Sequence, residues 1–465
     1  MNRSILLSLP LLAILAGCAH TPAAVPTPSN LPARWETATP MPTGEIPGAW
    51  WSSFGDPVLD GLIDSGQQHN VDLRIAAERV IASHALRRAA TAGFFPEISA
   101  EAGVSAARRT AGDSASVGLG ASWEPDIGGR LSAAVRAARS DASATAADAE
   151  AVRLLLIEEI ARAYIDYRLQ RALIALTTRT VMAQEETLRI TRDRFEFGMA
   201  SALDVERASA LVSQTRSEHA VASEAADADR FRLAYLLSTT PEDITARLAT
   251  GDAIPAADPL AVLRSPADVL AARPDIRAAE ARYAAMAARR DGTAGLRLPS
   301  LSLSGLVGLD AGGIGSLLDG GTTIASVAAA LVLPVLDFGR RRAELDAADS
   351  QLREAGLDYE RVVRGALQET QTGIVSYLQG QVRERELGRA MEAARRAAEL
   401  SQLQYREGTL SQLEVLDAAR TVYQAERDHA RALADVSARL VSLHRQMGVA
   451  PAAPAMASGG GGTGQ

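Results

Sequence analysis

Two hydrophobic periods divide the chain between them. From Ser116 to Trp123, Val117, Leu119, Ala121 and Trp123 alternate with Ser116, Gly118, Gly120 and Ser122. Ser300 to Leu309 alternates likewise, with Leu301, Leu303, Val307 and Leu309 on the apolar side. A period of two predicts strands with one apolar and one polar face. A different period takes over between about Ile127 and Phe195, where the only glycines lie at the start and there is no proline. That stretch predicts one helix of roughly 100 Å at 1.5 Å per residue. Ile160, Tyr167, Ile174, Val181, Leu188 and Phe195 recur every seventh residue, and Leu169, Leu176, Ala183, Ile190 and Phe197 form a second row. At 3.5 residues per turn the rows lie roughly 150° apart. A two-stranded coiled coil needs one seam, whereas a helix in a cylindrical wall needs one for each neighbour. In the second half the rows are interrupted by Arg383, Arg385 and Glu386.

The landmarks recur in order. Asp72-Leu73-Arg74 matches Asp275-Ile276-Arg277, and Phe95-Pro96 matches Leu298-Pro299. Asp126-Ile127-Gly128-Gly129-Arg130 stands beside Asp337-Phe338-Gly339-Arg340-Arg341. Phe195-Glu196-Phe197-Gly198, with Ser201 and Leu203-Asp204-Val205, is echoed by Tyr405-Arg406-Glu407-Gly408, with Ser411 and Leu413-Glu414-Val415. The chain is therefore two similar halves, roughly 60–240 and 263–448, each reading helix, two strands, long helix, shorter helix. Gly198 and Gly408 suit the left-handed position that ends a helix. Ser201 with Asp204, and Ser411 with Glu414, read as capping pairs that start the next one. Pro125 and Pro334, with Asp126 and Asp337 as N-caps, mark the strand-to-helix junctions. The loops expected to be exposed are Arg108–Ala115 and Ala311–Thr322; in the latter, Gly312-Gly313-Ile314-Gly315 has the wrong spacing for a nucleotide loop and no anion-binding helix start after it.

Composition narrows the function. The chain has 465 residues, 47% hydrophobic and 22% charged, with net charge −8, which disfavours nucleic acid as a partner. Every basic residue is Arg, so a Schiff-base or phosphate-loop lysine is excluded, and the six histidines show no metal-ligand spacing. No catalytic constellation or cofactor motif is visible. Arg3 and the apolar run Ile5–Leu15 form a targeting segment too short for a comfortable membrane span. It ends in Leu15-Ala16-Gly17-Cys18, which resembles the lipobox of bacterial lipoproteins; Cys18 is the one cysteine of the chain. By that resemblance Cys18 carries a covalent lipid, and Ala19, not being Asp, favours the outer membrane. The division expected is a signal peptide at 1–17, an extended tether at 18–48, a first repeat at 49–262, a second at 263–450 and a disordered tail at 451–465. No later segment predicts a transmembrane helix, so any membrane crossing falls to the strands. Four strands cannot close a barrel, and lipid does not tolerate an open edge; three copies would supply twelve.

On these residues the chain resembles the TolC-type outer-membrane efflux proteins, in their NodT/OprM lipoprotein branch, over roughly residues 46–450. Trp50-Trp51-Ser52-Ser53-Phe54-Gly55-Asp56-Pro57 is similar to the branch's equatorial start, and Arg194 to Val205 resembles the family's periplasmic tip; the second tip has Gln404 where the first has Arg194. The resemblance implies an α plus membrane-β fold: a homotrimer with a twelve-strand barrel in the outer membrane of a Gram-negative bacterium and a twelve-helix periplasmic tunnel. It implies docking of a periplasmic adaptor at tips containing Arg194, Gly198, Ser201, Asp204, Gly408, Ser411 and Glu414, and an inner-membrane pump, most often of the RND class. Leu413-Glu414-Val415-Leu416-Asp417-Ala418-Ala419-Arg420 resembles the family's gate segment. Leu413 and Asp417 can share a face, with Arg207, equivalent to Asp417 in the repeat, and Arg420 as candidate latch partners. The implied function is a passive, non-enzymatic conduit for small molecules. The alternatives are a duct for type I protein secretion, which would share the fold, and a pore-less periplasmic coiled-coil lipoprotein, which the alternating strands oppose.

Overall fold

The computed structural model describes residues 31–37, 42, 44–105, 113–257, 263–407 and 409–449. Cys18, Gly408, the tail 451–465, most of the tether and most of the first loop lie outside the described residues. After a 3₁₀ turn at Trp50–Phe54 come α1 (Pro57–His69), α2 (Val71–Ala92), β1 (Glu97–Ser105), β2 (Ser114–Trp123), α3 (Arg130–Glu196) and α4 (Ala202–Leu236). Two short helices, α5 (Pro241–Arg247) and α6 (Pro266–Ala272), lead to α7 (Pro274–Gly295), β3 (Ser300–Ala311), α8 (Ile314–Leu318), β4 (Thr322–Val332), α9 (Arg340–Arg406) and α10 (Gln412–Gln446). The corresponding helices of the two halves have equal lengths: 22 residues for α2 and α7, 67 for α3 and α9, and 35 for α4 and α10. Among the described residues no helix is long and apolar enough to cross a membrane.

Contacts separate two compact units, and each half of the repeat contributes to both. The first contains residues 77–148 and 275–363. Its four strands form one antiparallel sheet in the order β1-β2-β3-β4. The register places Ala100 opposite Leu119, Leu119 opposite Val307 and Val307 opposite Ala325. One face therefore collects Ile98, Val104, Val117, Leu119, Leu303, Val307, Val327 and Leu331. The other collects Ser99, Glu101, Ser116, Ser122, Ser304 and Ser326, with Leu306, Ile324 and Val332 among its apolar members. Apart from its end at buried Ala115, the apolar face is open among the described residues: Ile98 is 72% exposed and Val327 90%. Gly118 and Gly308 are directly paired, and a Cβ on Gly308 would lie 2.5 Å from the Val117 carbonyl oxygen, so glycine there permits the close strand approach.

Three details depart from expectation. The long helices begin at Arg130 and Arg340, not directly after the aspartates, because Gly129 (φ +70°) and Gly339 (φ +88°) turn the chain first. Asp126 still caps from a distance, accepting from the amides of Leu131 and Ser132 at 2.8 Å each. Burial opposes its charge, yet these hydrogen bonds hold its carboxyl below the usual range. Asp337 accepts from Gly339 and Arg341. The segment after Gly313 forms the single-turn helix α8 where a loop was expected, closed by Leu317 N–H donating to the Gly313 carbonyl at 3.1 Å. Ala115 belongs to β2, so the first loop is shorter than Arg108–Ala115.

The second unit, residues 30–76, 149–274 and the chain beyond 364, holds the main hydrophobic core. Leu59, Ile63, Ile157, Ile160, Leu233 and Val441 are at most 1% exposed, each contributing about 1.5–3 kcal/mol. Through this core runs a polar chain. Tyr164 Oη donates to Asp56 at 2.7 Å, Arg168 Nε donates to Tyr164 Oη at 2.9 Å, and the same guanidinium reaches the carbonyls of Leu248 and Thr250. Arg168 is 1% exposed, so leaving any of these bonds unmade would be costly. His444, 3% exposed, stacks on Trp50 at 4.7 Å and 7°, with Nδ1–H donating to the Leu440 carbonyl at 2.8 Å. Burial drives its pKa down to about 4. The unfolded chain takes up this proton first as pH falls through 6.5, so His444 subtracts stability progressively from pH 6.5 down to about 4. Denaturant titrations should show about 1.6 kcal/mol of stability lost to this residue between pH 6.5 and pH 5, and His444→Phe should remove that increment.

Candidate docking tips and gate

The two hairpin turns share a closing bond. At the first, Gly198 takes φ +70°, Gly198 N–H donates to the Phe195 carbonyl at 2.9 Å, and Met199 N–H donates to the Arg194 carbonyl at 2.7 Å. At the second, Thr409 N–H donates to the Gln404 carbonyl at 3.0 Å, the equivalent bond across Gly408. This i to i−5 closure satisfies carbonyls that a helix end would leave unpaired. The following helices start on complete capping boxes. Ser201 N–H donates to the Asp204 carboxylate at 3.1 Å, and Asp204 N–H donates back to Ser201 Oγ at 3.2 Å. Ser411 and Glu414 repeat the exchange at 2.9 and 3.4 Å. Hydrogen bonds from Ser201 and Ser411 hold the two carboxyls below their ordinary values, so both caps are charged at neutral pH. Phe197, Met199 and Leu203 are exposed around the first turn, at 77, 70 and 56%.

The structure also ties the two tips together. Arg194 lies over the Tyr405 ring, 5.1 Å from its centroid, and donates to its hydroxyl. Gln412 donates to Thr191 Oγ1. Arg194 is therefore half-buried and engaged within the chain. Leu413 and Asp417 are both exposed, one helical turn apart. Asp417 accepts from Arg420 at 2.7 Å, so within one chain its partner is Arg420; Arg207 is exposed on α4.

Between the two apolar rows of α3 lies a polar seam that the pattern of hydrophobic residues did not reveal. Thr177, Gln184 and Thr191 recur every seventh residue and are 2, 9 and 0% exposed. Thr177 meets His219 Nδ1 at 3.1 Å, and Thr191 donates to the Thr187 carbonyl at 2.8 Å. Gln184, Thr180, Thr187, Gln402, Tyr423 and Glu426 line a cavity of about 280 Å³ among α3, α4, α9 and α10. Tyr423 donates to Glu218; its burial and that carboxylate raise the phenol's pKa. The signal for this seam was present as threonine and glutamine at heptad spacing in a helix that never breaks.

Residues 62–239 and 266–449 match the family described as outer membrane efflux protein. Nodulation protein T of Rhizobium leguminosarum biovar trifolii is 29% identical over 431 residues, covering 90% of this chain and 92% of that protein. TtgF, a toluene efflux pump outer membrane protein of Pseudomonas putida, is 30% identical over 453 residues, covering 90% of this chain and 92% of that protein. The solved structure of the outer-membrane channel OprN matches with TM-score 0.84 at 29% identity, over 92% of this chain and 98% of that one.

The two capping boxes make a direct prediction. Ser201→Ala and Ser411→Ala should each cost about 1 kcal/mol at the adjoining helix start. Amide exchange should accelerate at residues 203–205 and 413–415 respectively, with protection in the core around Ile160 unchanged.

Proposed function

The chain belongs to the outer membrane efflux protein family, and from that premise we propose that three copies assemble into the outer-membrane duct of a tripartite pump. One observation carries the reading: a four-stranded sheet with an uncovered apolar face and two unpaired edges accompanies two paired helical hairpins of equal length. Three such sheets would close twelve strands, leaving no backbone edge in lipid. The apolar face would meet lipid and the serine-rich face would line the pore. A lipid on Cys18 adds an anchor to the barrel. The pump, of the RND class, supplies the energy, so the duct needs no catalytic group.

The tips present rigid, capped turns with an apolar collar, a surface suited to a periplasmic adaptor. Arg194 serves that surface by fixing the two hairpins against each other through Tyr405. Leu413 and Asp417 are placed to narrow the opening. Three Asp417 carboxylates around a constriction would favour cations and repel anions. Arg420 holds Asp417 in the resting chain, and Arg207 of a neighbouring hairpin is the partner available across the ring. Such an exposed pair contributes roughly 0–1 kcal/mol, weak enough for an adaptor to release.

Single-channel recording in planar bilayers tests the gate. Asp417→Ala should raise basal conductance and lower cation selectivity, and Leu413→Ala should widen the leak. Unchanged conductance and selectivity in both variants would remove the gate assignment. Two further measurements address the anchor and the docking surface. Cys18→Ser should abolish fatty-acid labelling. Ser201→Trp should eliminate cross-linking to the adaptor while trimers persist; retained cross-linking would sink the docking assignment.

A further inference from the structure

The first unit carries an ion-pair ladder between α3 and α7. Arg136 meets Asp291 at 3.2 Å, Asp141 meets Arg289 at 2.5 Å, and Asp148 meets Arg282 at 2.5 Å. The last two pairs step by seven residues in opposite directions on antiparallel helices, so one register satisfies both. Small residues bring the helices together beside the ladder: Ala133 is 1% exposed, Ala278 and Ala285 are fully buried, and a Cβ on Gly292 would lie 3.4 Å from the Cβ of Ala133.

The internal repeat carries this interface to a second place. α7 begins 203 residues after α2, and α9 begins 210 residues after α3. Under those shifts Arg282, Arg289 and Asp291 correspond to Arg79, Leu86 and Arg88 of α2. Arg136, Asp141 and Asp148 correspond to Asp346, Gln351 and Asp358 of α9. Each transferred pair stays compatible. Asp148 with Arg282 becomes Asp358 with Arg79, of the same sign. Arg136 with Asp291 becomes Asp346 with Arg88, with both signs reversed together. Asp141 with Arg289 becomes Gln351 with Leu86, with both charges lost together. All six residues are exposed on the isolated chain, although Asp358 also holds Arg361 of its own helix at 2.9 Å. The small-residue face is open as well: Ile75, equivalent to buried Ala278, is 44% exposed, and Ala82, equivalent to Ala285, is exposed.

We propose that α9 of one copy docks along α2 of the next copy in this register, with Asp346 on Arg88, Gln351 beside Leu86 and Asp358 on Arg79. The occupant of each open face is a second copy of this chain. The inference rests on the trimer reading and adds the residues and the register that join the copies. Exposed pairs of this kind contribute little affinity singly, so the ladder selects register and partner more than it binds.

The test uses the full-length lipoprotein in outer membranes, where Cys18 is the one native cysteine. Two differently tagged chains are co-expressed, one carrying Leu86→Cys and the other Gln351→Cys, and treated with a short bismaleimide. A cross-linked band bearing both tags is expected. Moving the second cysteine to exposed Leu357, along the same helix, should lose the band. Arg88→Asp should likewise reduce cross-linking, and Asp346→Arg in the partner chain should restore it. Native mass measurement separates the two layers of the reading. Trimers without the Leu86–Gln351 band, or with an equal band at Leu357, overturn the ladder and leave the trimer standing. A monomer in the membrane overturns both.

Discussion

Everything in this chain answers to the backbone edges of a four-stranded sheet. Among the described residues β1 and β4 each pair on one side alone, and the face they share is apolar and largely open. In water such a sheet would aggregate through its edges. In lipid each unpaired amide or carbonyl would cost several kcal/mol. Neither solvent accepts the sheet as one chain makes it, so closure with further copies is part of the fold. The paired glycines Gly118 and Gly308 sit at the centre of this sheet, where the two halves of the repeat meet through β2 and β3. The in-chain junction between halves is thus a template for the junction between copies.

The helical part meets a different demand. A wall helix needs contacts on two sides. The apolar rows of α3 supply them. The seam of Thr177, Gln184 and Thr191 meets the neighbouring helices through polar contacts instead, Thr177 with His219 and Thr191 with Gln412. The stiff ends bracket this polar middle. Near the core, Asp56, Tyr164 and Arg168 form a buried chain in which every member depends on the next. At the tips, the capping boxes and the Arg194–Tyr405 contact hold the turns.

Much of this could be read from residues close together in sequence. Alternation named the faces of β2 and β3, Gly198 and Ser201 named a helix end and start, and matched landmarks named the repeat. These signals come from local backbone preference and from period, which need no tertiary information. What escaped depends on distant partners. Arg194 and Tyr405 are 211 residues apart, and nothing beside either names the other. Arg168 and His444 are residue types usually found at the surface or at chemical sites; here they are buried, because Tyr164 and Trp50 provide matching faces. Threonine in a long helix reads as a neutral filler until neighbouring helices bury it. The helix starts at Arg130 and Arg340 were misplaced because Asp126 caps across a glycine turn instead of directly.

The charges on the two open faces also decide how copies can meet. α2 offers Arg79 and Arg88; α9 offers Asp346 and Asp358. A two-fold dimer would set one face against itself, Arg opposite Arg or Asp opposite Asp, and like charges in register repel. The complementary arrangement is α9 of one copy against α2 of the next, which is a heterologous contact. Heterologous contacts propagate until rotation closes them into a ring, or else they grow without end. The sheet imposes the closure, since twist and tilt fix how many strands complete a cylinder. The ladder thus disfavours the two-fold pair, and the barrel sets the number of copies. The sign reversal between Arg136–Asp291 and Asp346–Arg88 then has a physical use. With both halves of the repeat available as neighbours, Asp346 set against Asp291, or Arg136 against Arg88, places like charges together. That rung therefore disfavours the exchanged helix, while the Asp148 and Asp358 rung accepts Arg282 or Arg79 alike.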